Sequence, residues 1–143
     1  MRLSKYSDYA LRVLMYAALR EPALATIDEV AGDFDISRHH LVKVVHALGQ
    51  AGFLATRRGI GGGFRLALPP EKIMLGAVVR LTEADDRVID CQDRPNELCR
   101  IFPACRLKRV LGEAGAAFFA VLDGYSLADL VKPKTELKNL LEI

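Results

Sequence analysis

Apolar side chains recur at helical spacing through the first fifty residues and then give way to a looser alternation. Ser7 to Leu19 places Ala10, Leu14, Ala17 and Ala18 on one face, with Leu11 and Met15 widening it, which predicts an amphipathic helix ended by Glu21-Pro22. Thr26-Ile27-Asp28-Glu29 has the form of a capping box. In it the threonine hydroxyl and the glutamate carboxylate each satisfy an unpaired backbone N–H, so a short helix should follow through Val30 and Ala31. Gly32-Asp33-Phe34-Asp35-Ile36 turns the chain. Ser37 is then placed to cap a third helix, whose Leu41, Val44, Val45 and Leu48 make an inward stripe and which Gly49 and Gly52 end. Phe53 to Arg58, the turn Gly59-Ile60-Gly61-Gly62-Gly63, and Phe64-Arg65-Leu66 predict a hairpin with a flexible tip.

Pro69-Pro70 closes the hairpin, and Leu75 to Glu83 reads as a helix with Leu75, Val78, Val79 and Thr82 on one side. A polar stretch beginning Asp85-Asp86-Arg87 leads to the longest helical pattern, about Ala104 to Asp123. Its stripe is Leu107, Val110, Leu111, Ala114, Phe118, Val121 and Leu122, and Gly124 is its stop. Gly112, Gly115, Ala116 and Ala117 would allow another helix to approach closely, as in core packing or against a twin chain. Ser126 to Val131 and Thr135 to Leu141 predict two short closing helices. The expected fold is mainly α. Residues 1–70 form a winged helix-turn-helix, and residues 71–143 form a connector, a cysteine-bearing loop at about 88–106, a long dimerisation helix and the closing helices.

A helix-turn-helix presents the start of its second helix to the DNA major groove, and here the face opposite the stripe carries Ser37, Arg38, His39, His40, Lys43 and His46. A basic hairpin directly after it has the character of a wing. Arg57, Arg58 and Arg65 can meet phosphates or the negative potential of the minor groove, and Gly61, Gly62 and Gly63 let the tip enter a narrow groove. The net charge of +2 over 143 residues does not argue for nucleic acid by itself; the distribution of basic residues does. All three histidines lie on the polar face of the third helix, and no acid or cysteine is placed nearby to complete a catalytic or metal site. The glycine turn lacks a Walker lysine and a following helix, so a nucleotide-cradling role is weak. No flavin or nicotinamide fingerprint supports an enzyme. No apolar run approaches bilayer length, and Met1-Arg2-Leu3-Ser4-Lys5 leads straight into a helix rather than a secretory signal, which predicts a cytoplasmic protein with no membrane partner.

The three cysteines, Cys91, Cys99 and Cys105, fall within fifteen positions, at gaps of seven and five residues. Two could form a disulfide, but the third would be left over, and a reducing cytoplasm disfavours the bond. Zinc sites with several cysteines usually contain a pair two to four residues apart, whereas both gaps here are wider and suit a larger iron-sulfur cluster with its preference for soft thiolates. Three small buried hydrophobes, or a zinc-stabilised transcription factor, remain open on spacing alone. Pro95 and Pro103 stiffen the loop, and Cys105 falls at the start of the long helix, where the dipole suits an anionic ligand. Asp8, in the opening turn of the first helix, reads from its own surroundings as an ordinary N-terminal acid.

Taken together, these segments make the chain resemble the winged-helix iron-sulfur transcriptional regulators, the group of NsrR, RirA and IscR. The resemblance covers essentially the full length: Lys5-Tyr6-Ser7-Asp8-Tyr9-Ala10-Leu11-Arg12, His39-His40-Leu41-Val42-Lys43-Val44-Val45, Gly61-Gly62-Gly63, the three cysteines and the long helix. Asp8 and His39-His40 look most similar to the nitric oxide-responsive NsrR branch, while the cysteine gaps also resemble iron-responsive RirA. The resemblance implies a homodimeric repressor of double-stranded operator DNA. Its 4Fe-4S cluster would be held by Cys91, Cys99 and Cys105 with the partner subunit's Asp8 as oxygen donor, and nitric oxide would be the signal. An iron- or cluster-status sensor is the alternative, and a redox carrier is a more distant one. IscR-like members carry a histidine shortly after the third cysteine; Leu107-Lys108 stands there instead, which argues against a 2Fe-2S site of that kind.

Overall fold

Ser4 fixes the beginning of the first helix, α1 (Lys5–Arg20), by accepting the Ser7 N–H at 3.2 Å. The computed structural model describes residues 2–83, 87–89, 91 and 99–143. α1 starts two residues earlier than its apolar pattern because the cap, not the stripe, sets its boundary. It runs through the centre of the molecule and buries Ala10, Val13, Leu14, Tyr16 and Ala17 completely or nearly so. Each buried aliphatic chain of leucine size contributes about 1.5–3 kcal/mol, so this face helps to hold the molecule together. The Tyr16 hydroxyl donates to Asp33 at 2.6 Å. Burial, and then that bond, push the phenol well above its usual range, so Tyr16 stays a donor.

The capping box at Thr26 forms as its sequence predicts, with Thr26 Oγ1 accepting Glu29 N–H at 3.2 Å and Glu29 accepting Thr26 N–H at 2.7 Å. It opens α2 (Ile27–Phe34), which Asp35 ends in a left-handed conformation. α3 (Arg38–Gln50) buries Leu41, Val44, Val45 and Leu48 against α1 and α2. Ser37 occupies its N-cap position, but its side chain makes no capping hydrogen bond, so the helix start is set by the backbone turn. Strands β1 (Leu54–Arg57) and β2 (Gly63–Leu66) pair antiparallel, with Leu54 opposite Leu66 and Arg57 opposite Gly63. Leu54, Phe64 and Leu66 point into the core. A third segment joins the hairpin: Ala25 and Phe64 exchange backbone hydrogen bonds of 2.9 and 2.8 Å, which fastens the base of the wing to the residues before α2.

α4 (Leu75–Thr82) packs on α1 and on α5 (Arg106–Asp123). The predicted stripe of α5 is left largely uncovered by its own chain. Its inward residues are Gly115 and Phe119, whereas Leu107, Val110 and Val121 are exposed in the single chain. Arg80 of α4 lies 4.4 Å over the Phe119 ring and grips Asp123 through two 2.7 Å bonds, which hold the Asp123 carboxyl below the usual range. Two short helices, α6 (Leu127–Leu130) and α7 (Lys134–Leu141), return to α1. Leu75 N–H donates to Tyr125 O at 3.0 Å and Leu127 N–H to Ile73 O at 2.8 Å, so the chain comes back to where α4 began. Pro95 and the polar residues Asp85 and Asp86 lie outside the described residues. Among the described residues no helix is long and apolar enough to cross a membrane.

Candidate nucleic-acid interface and cysteine segment

The α3 stripe turns the opposite face outward, and Ser37, Arg38, His39, His40, Lys43 and His46 are all exposed there. Arg38 is also engaged within the chain: its Nε donates to Asp28 of α2 at 2.6 Å, an exposed pair that steadies the angle between the two helices but contributes little to stability. One residue on this face was not expected. Val42 is 43% exposed and shares the surface of His39, Lys43 and His46, so the face is not wholly polar. Helix α1 leans on the same face, with Tyr6 Oη donating to the Lys43 carbonyl at 3.3 Å and the Tyr9 ring centred 6.1 Å from that of His40.

Arg57 and Arg65 stand exposed on the two strands; Arg58 lies in the turn rather than on an arm. Two of the tip glycines are demanded by close approach. A Cβ on Gly62 would collide with the Arg57 and Gly59 carbonyl oxygens, and one on Gly63 would collide with the Ala25 carbonyl where the wing is fastened. Gly61 answers a different need, a φ of +70° in the turn.

Cys91, Cys99 and Cys105 are half-buried free thiols. Residues Phe102–Ala104 form a 3-10 turn, and Cys99 O accepts the Phe102 N–H at 3.0 Å. Cys105 is the N-cap of α5, and its sulfur accepts the Lys108 N–H at 3.5 Å, an orientation that complements negative charge on sulfur. An open hollow of about 530 Å³ lies beside it, lined by Phe102, Cys105, Lys108, Arg109 and Glu113 among others. Among the described residues no three His, Cys, Asp or Glu side chains are gathered as a single ion would need. Three soft sulfurs, none in a disulfide, fit the donor preference of an iron-sulfur cluster.

Asp8 lies on α1 with about half its side chain exposed, and both carboxylate oxygens accept from Arg12 Nε at 3.1 Å. Arg12 in turn sits 5.4 Å over the Phe34 ring of α2. The neighbouring Ser7 is fully buried, and its hydroxyl donates to Glu83, which also accepts the Ser4 N–H at 2.8 Å; Thr82 Oγ1 lies 2.8 Å from Ser7 Oγ. Sequence reasoning missed this group. The available hint was an acid at the end of a helix, where the dipole disfavours it and some other partner has to justify it.

The fold and these surfaces define a winged helix-turn-helix DNA-binding protein. The sequence matches the model of Rrf2, described as iron-dependent transcriptional regulators, over residues 3–133, and the chain belongs to that family. It is 48% identical to the HTH-type transcriptional regulator NsrR of Bacillus subtilis (strain 168), covering 100% of this chain and 99% of the relative. To NsrR of Geobacillus kaustophilus it is 45% identical, covering 99% and 97%. Among solved structures, the oxidised form of Staphylococcus aureus CymR superposes with a TM-score of 0.74 at 26% identity, covering 92% of this chain and 97% of that one. The chain is thus a DNA-binding transcriptional regulator and not an enzyme.

Proposed function

We propose that the chain is a cytoplasmic homodimeric repressor that holds operator DNA while its cysteine segment carries a 4Fe-4S cluster, and that nitric oxide releases the operator. The observation that carries this reading is the position of Asp8. It stands between Ser7, which is bonded to the end of α4 ahead of the cysteines, and Tyr9, whose ring leans on His40 of the DNA-facing helix. Residues 1–70 read DNA, and residues 71–143 sense and pair.

Cys91, Cys99 and Cys105 would supply the thiolates, and the partner subunit's Asp8 would supply the oxygen donor. A hard carboxylate ligand would leave one iron of such a cluster more exchangeable than the thiolate-held ones, the chemistry that nitric oxide would meet there. The chain's own groups do the rest. Asp8 has a second mate in Arg12, so a released carboxylate is caught within its own helix. A shift of the first turn of α1 carries Tyr6 and Tyr9 with it and tilts α3 through Lys43 and His40. Two heads joined through the open stripe of α5 then lose the spacing of their half-sites. A coupling of about 1–3 kcal/mol changes operator affinity on the order of 5- to 150-fold.

In this reading Ser37, Arg38, His39, His40, Lys43 and His46 face the major groove, and the wing arginines Arg57, Arg58 and Arg65 meet phosphate and the minor groove. The test is to purify the protein without oxygen, count iron and sulfide, and follow operator binding during titration with nitric oxide and, separately, with an iron chelator. Release by nitric oxide at stoichiometric levels supports the proposal. Release only by the chelator favours an iron-status regulator, and a colourless zinc protein would refute both.

A further inference from the structure

Ile60 is the most exposed large apolar residue among those described, at 105% of its reference exposure, and it stands at the apex of the wing. It does not dangle there. The Gly62 N–H donates to Gly59 O at 2.9 Å, closing a four-residue turn in which Gly61 takes the positive φ that the third position of a type II turn requires. The paired residues Arg57 and Gly63 lie directly beneath. A β-branched side chain on so tight a turn has few rotamers to lose on binding.

From Arg57 to Arg65 no side chain carries a hydrogen-bond acceptor: the run is arginine, glycine, isoleucine and phenylalanine only. The side chains of the tip therefore offer cations and aliphatic surface and no hydrogen-bond acceptor. We infer that Ile60 is the wing's contact with the floor of the minor groove, and that through it the wing selects base pairs lacking an exocyclic amine there. This rests on the wing reading above. A·T and T·A pairs present only acceptors in the minor groove, whereas G·C adds the guanine N2 amine. Isoleucine pressed against that amine strips it of water and gives it no partner, which is penalised. The N3 and O2 acceptors are common to both kinds of pair, so the amine is the difference; without it the methyls pack on the floor, and the flanking arginines meet the narrower, more negative groove.

The test uses the full-length chain and a duplex selected with it from a random-sequence pool, the wing's position being located by hydroxyl-radical footprinting. Base pairs under the wing are then changed to A·T, G·C or inosine·C, the last keeping the major-groove pattern of G·C while removing the amine. Binding is expected to be equal on A·T and inosine·C and weaker on G·C, on the order of tenfold. Ile60→Ala should weaken A·T binding by about tenfold and shrink the preference, with the same salt dependence and the same thermal midpoint. Arg57→Ala with Arg58→Ala should instead lower the salt dependence. Unchanged preference in Ile60→Ala, while the arginine variant binds less tightly, overturns the inference and leaves the wing reading standing. If neither variant alters binding, the wing reading falls as well.

Discussion

The hydroxyl of Ser7 donates to the carboxylate of Glu83, joining the first turn of α1 to the end of α4. Burial works against the charged carboxylate, but the bonds from Ser7 and Ser4 outweigh it and hold the carboxyl below the ordinary glutamate range. A depressed value means that the ionised form stabilises the fold. That contribution is complete above the unfolded value of about 4.3 and is lost as pH falls through the lower folded one. Glu83→Gln should therefore flatten the acid side of a plot of urea midpoint against pH. Ser7→Ala, which takes one donor from the half-buried Glu83 carboxylate and the acceptor from the buried Thr82 hydroxyl, should lower stability by about 1 kcal/mol near neutrality. An unchanged acid flank in Glu83→Gln would refute the assignment.

Two neighbouring glycines should respond differently to alanine. Gly62→Ala strikes the carbonyls of Arg57 and Gly59 within an exposed turn, so it should weaken DNA binding with little change in thermal midpoint. Gly63→Ala strikes Ala25 at the buried fastening of the wing and should also lower stability, by about 1–3 kcal/mol. Equal thermal midpoints for the two variants would contradict this division.

At the junction of α4 and α5, a Cβ on Gly76 would meet the Asp123 carboxylate that grips Arg80. Gly76→Ala should cost about 1 kcal/mol net, the collision outweighing the gain in helix propensity. In an Asp123→Ala background the same change should stabilise by up to about 1 kcal/mol. A double-mutant cycle in denaturant that shows no reversal of sign would locate the strain elsewhere.

For the sensing proposal, Asp8→Ala should leave the three sulfurs able to assemble iron and sulfide but make the assembly bleach faster in air and alter its response to nitric oxide. Replacing Cys91, Cys99 or Cys105 by serine should abolish iron binding. Visible absorbance and iron content check both, and an Asp8→Ala protein indistinguishable in stability and response would remove the carboxylate from the scheme.

What the sequence made legible was local. The Thr26 box and the α3 stripe depend on residues within one turn of each other, and both formed. The family-bearing residues of α1, α3 and the wing were likewise readable, because they lie in short contiguous runs. Phe119 was passed over in favour of Phe118, since periodicity finds apolar positions but cannot tell which side of a helix α4 will cover. Glu83 was unreadable for a stronger reason: its donors, Ser4 and Ser7, sit at the other end of the winged head. The engagement of Arg38 with Asp28, and the outward position of Val42, similarly required the angle between α2 and α3.

The backbone clip that ties Ile73 and Leu75 to Tyr125 and Leu127 makes the intervening segment a closed loop whose two roots are pinned together. The chain between them therefore leaves and re-enters the fold at one place, beside the start of α4.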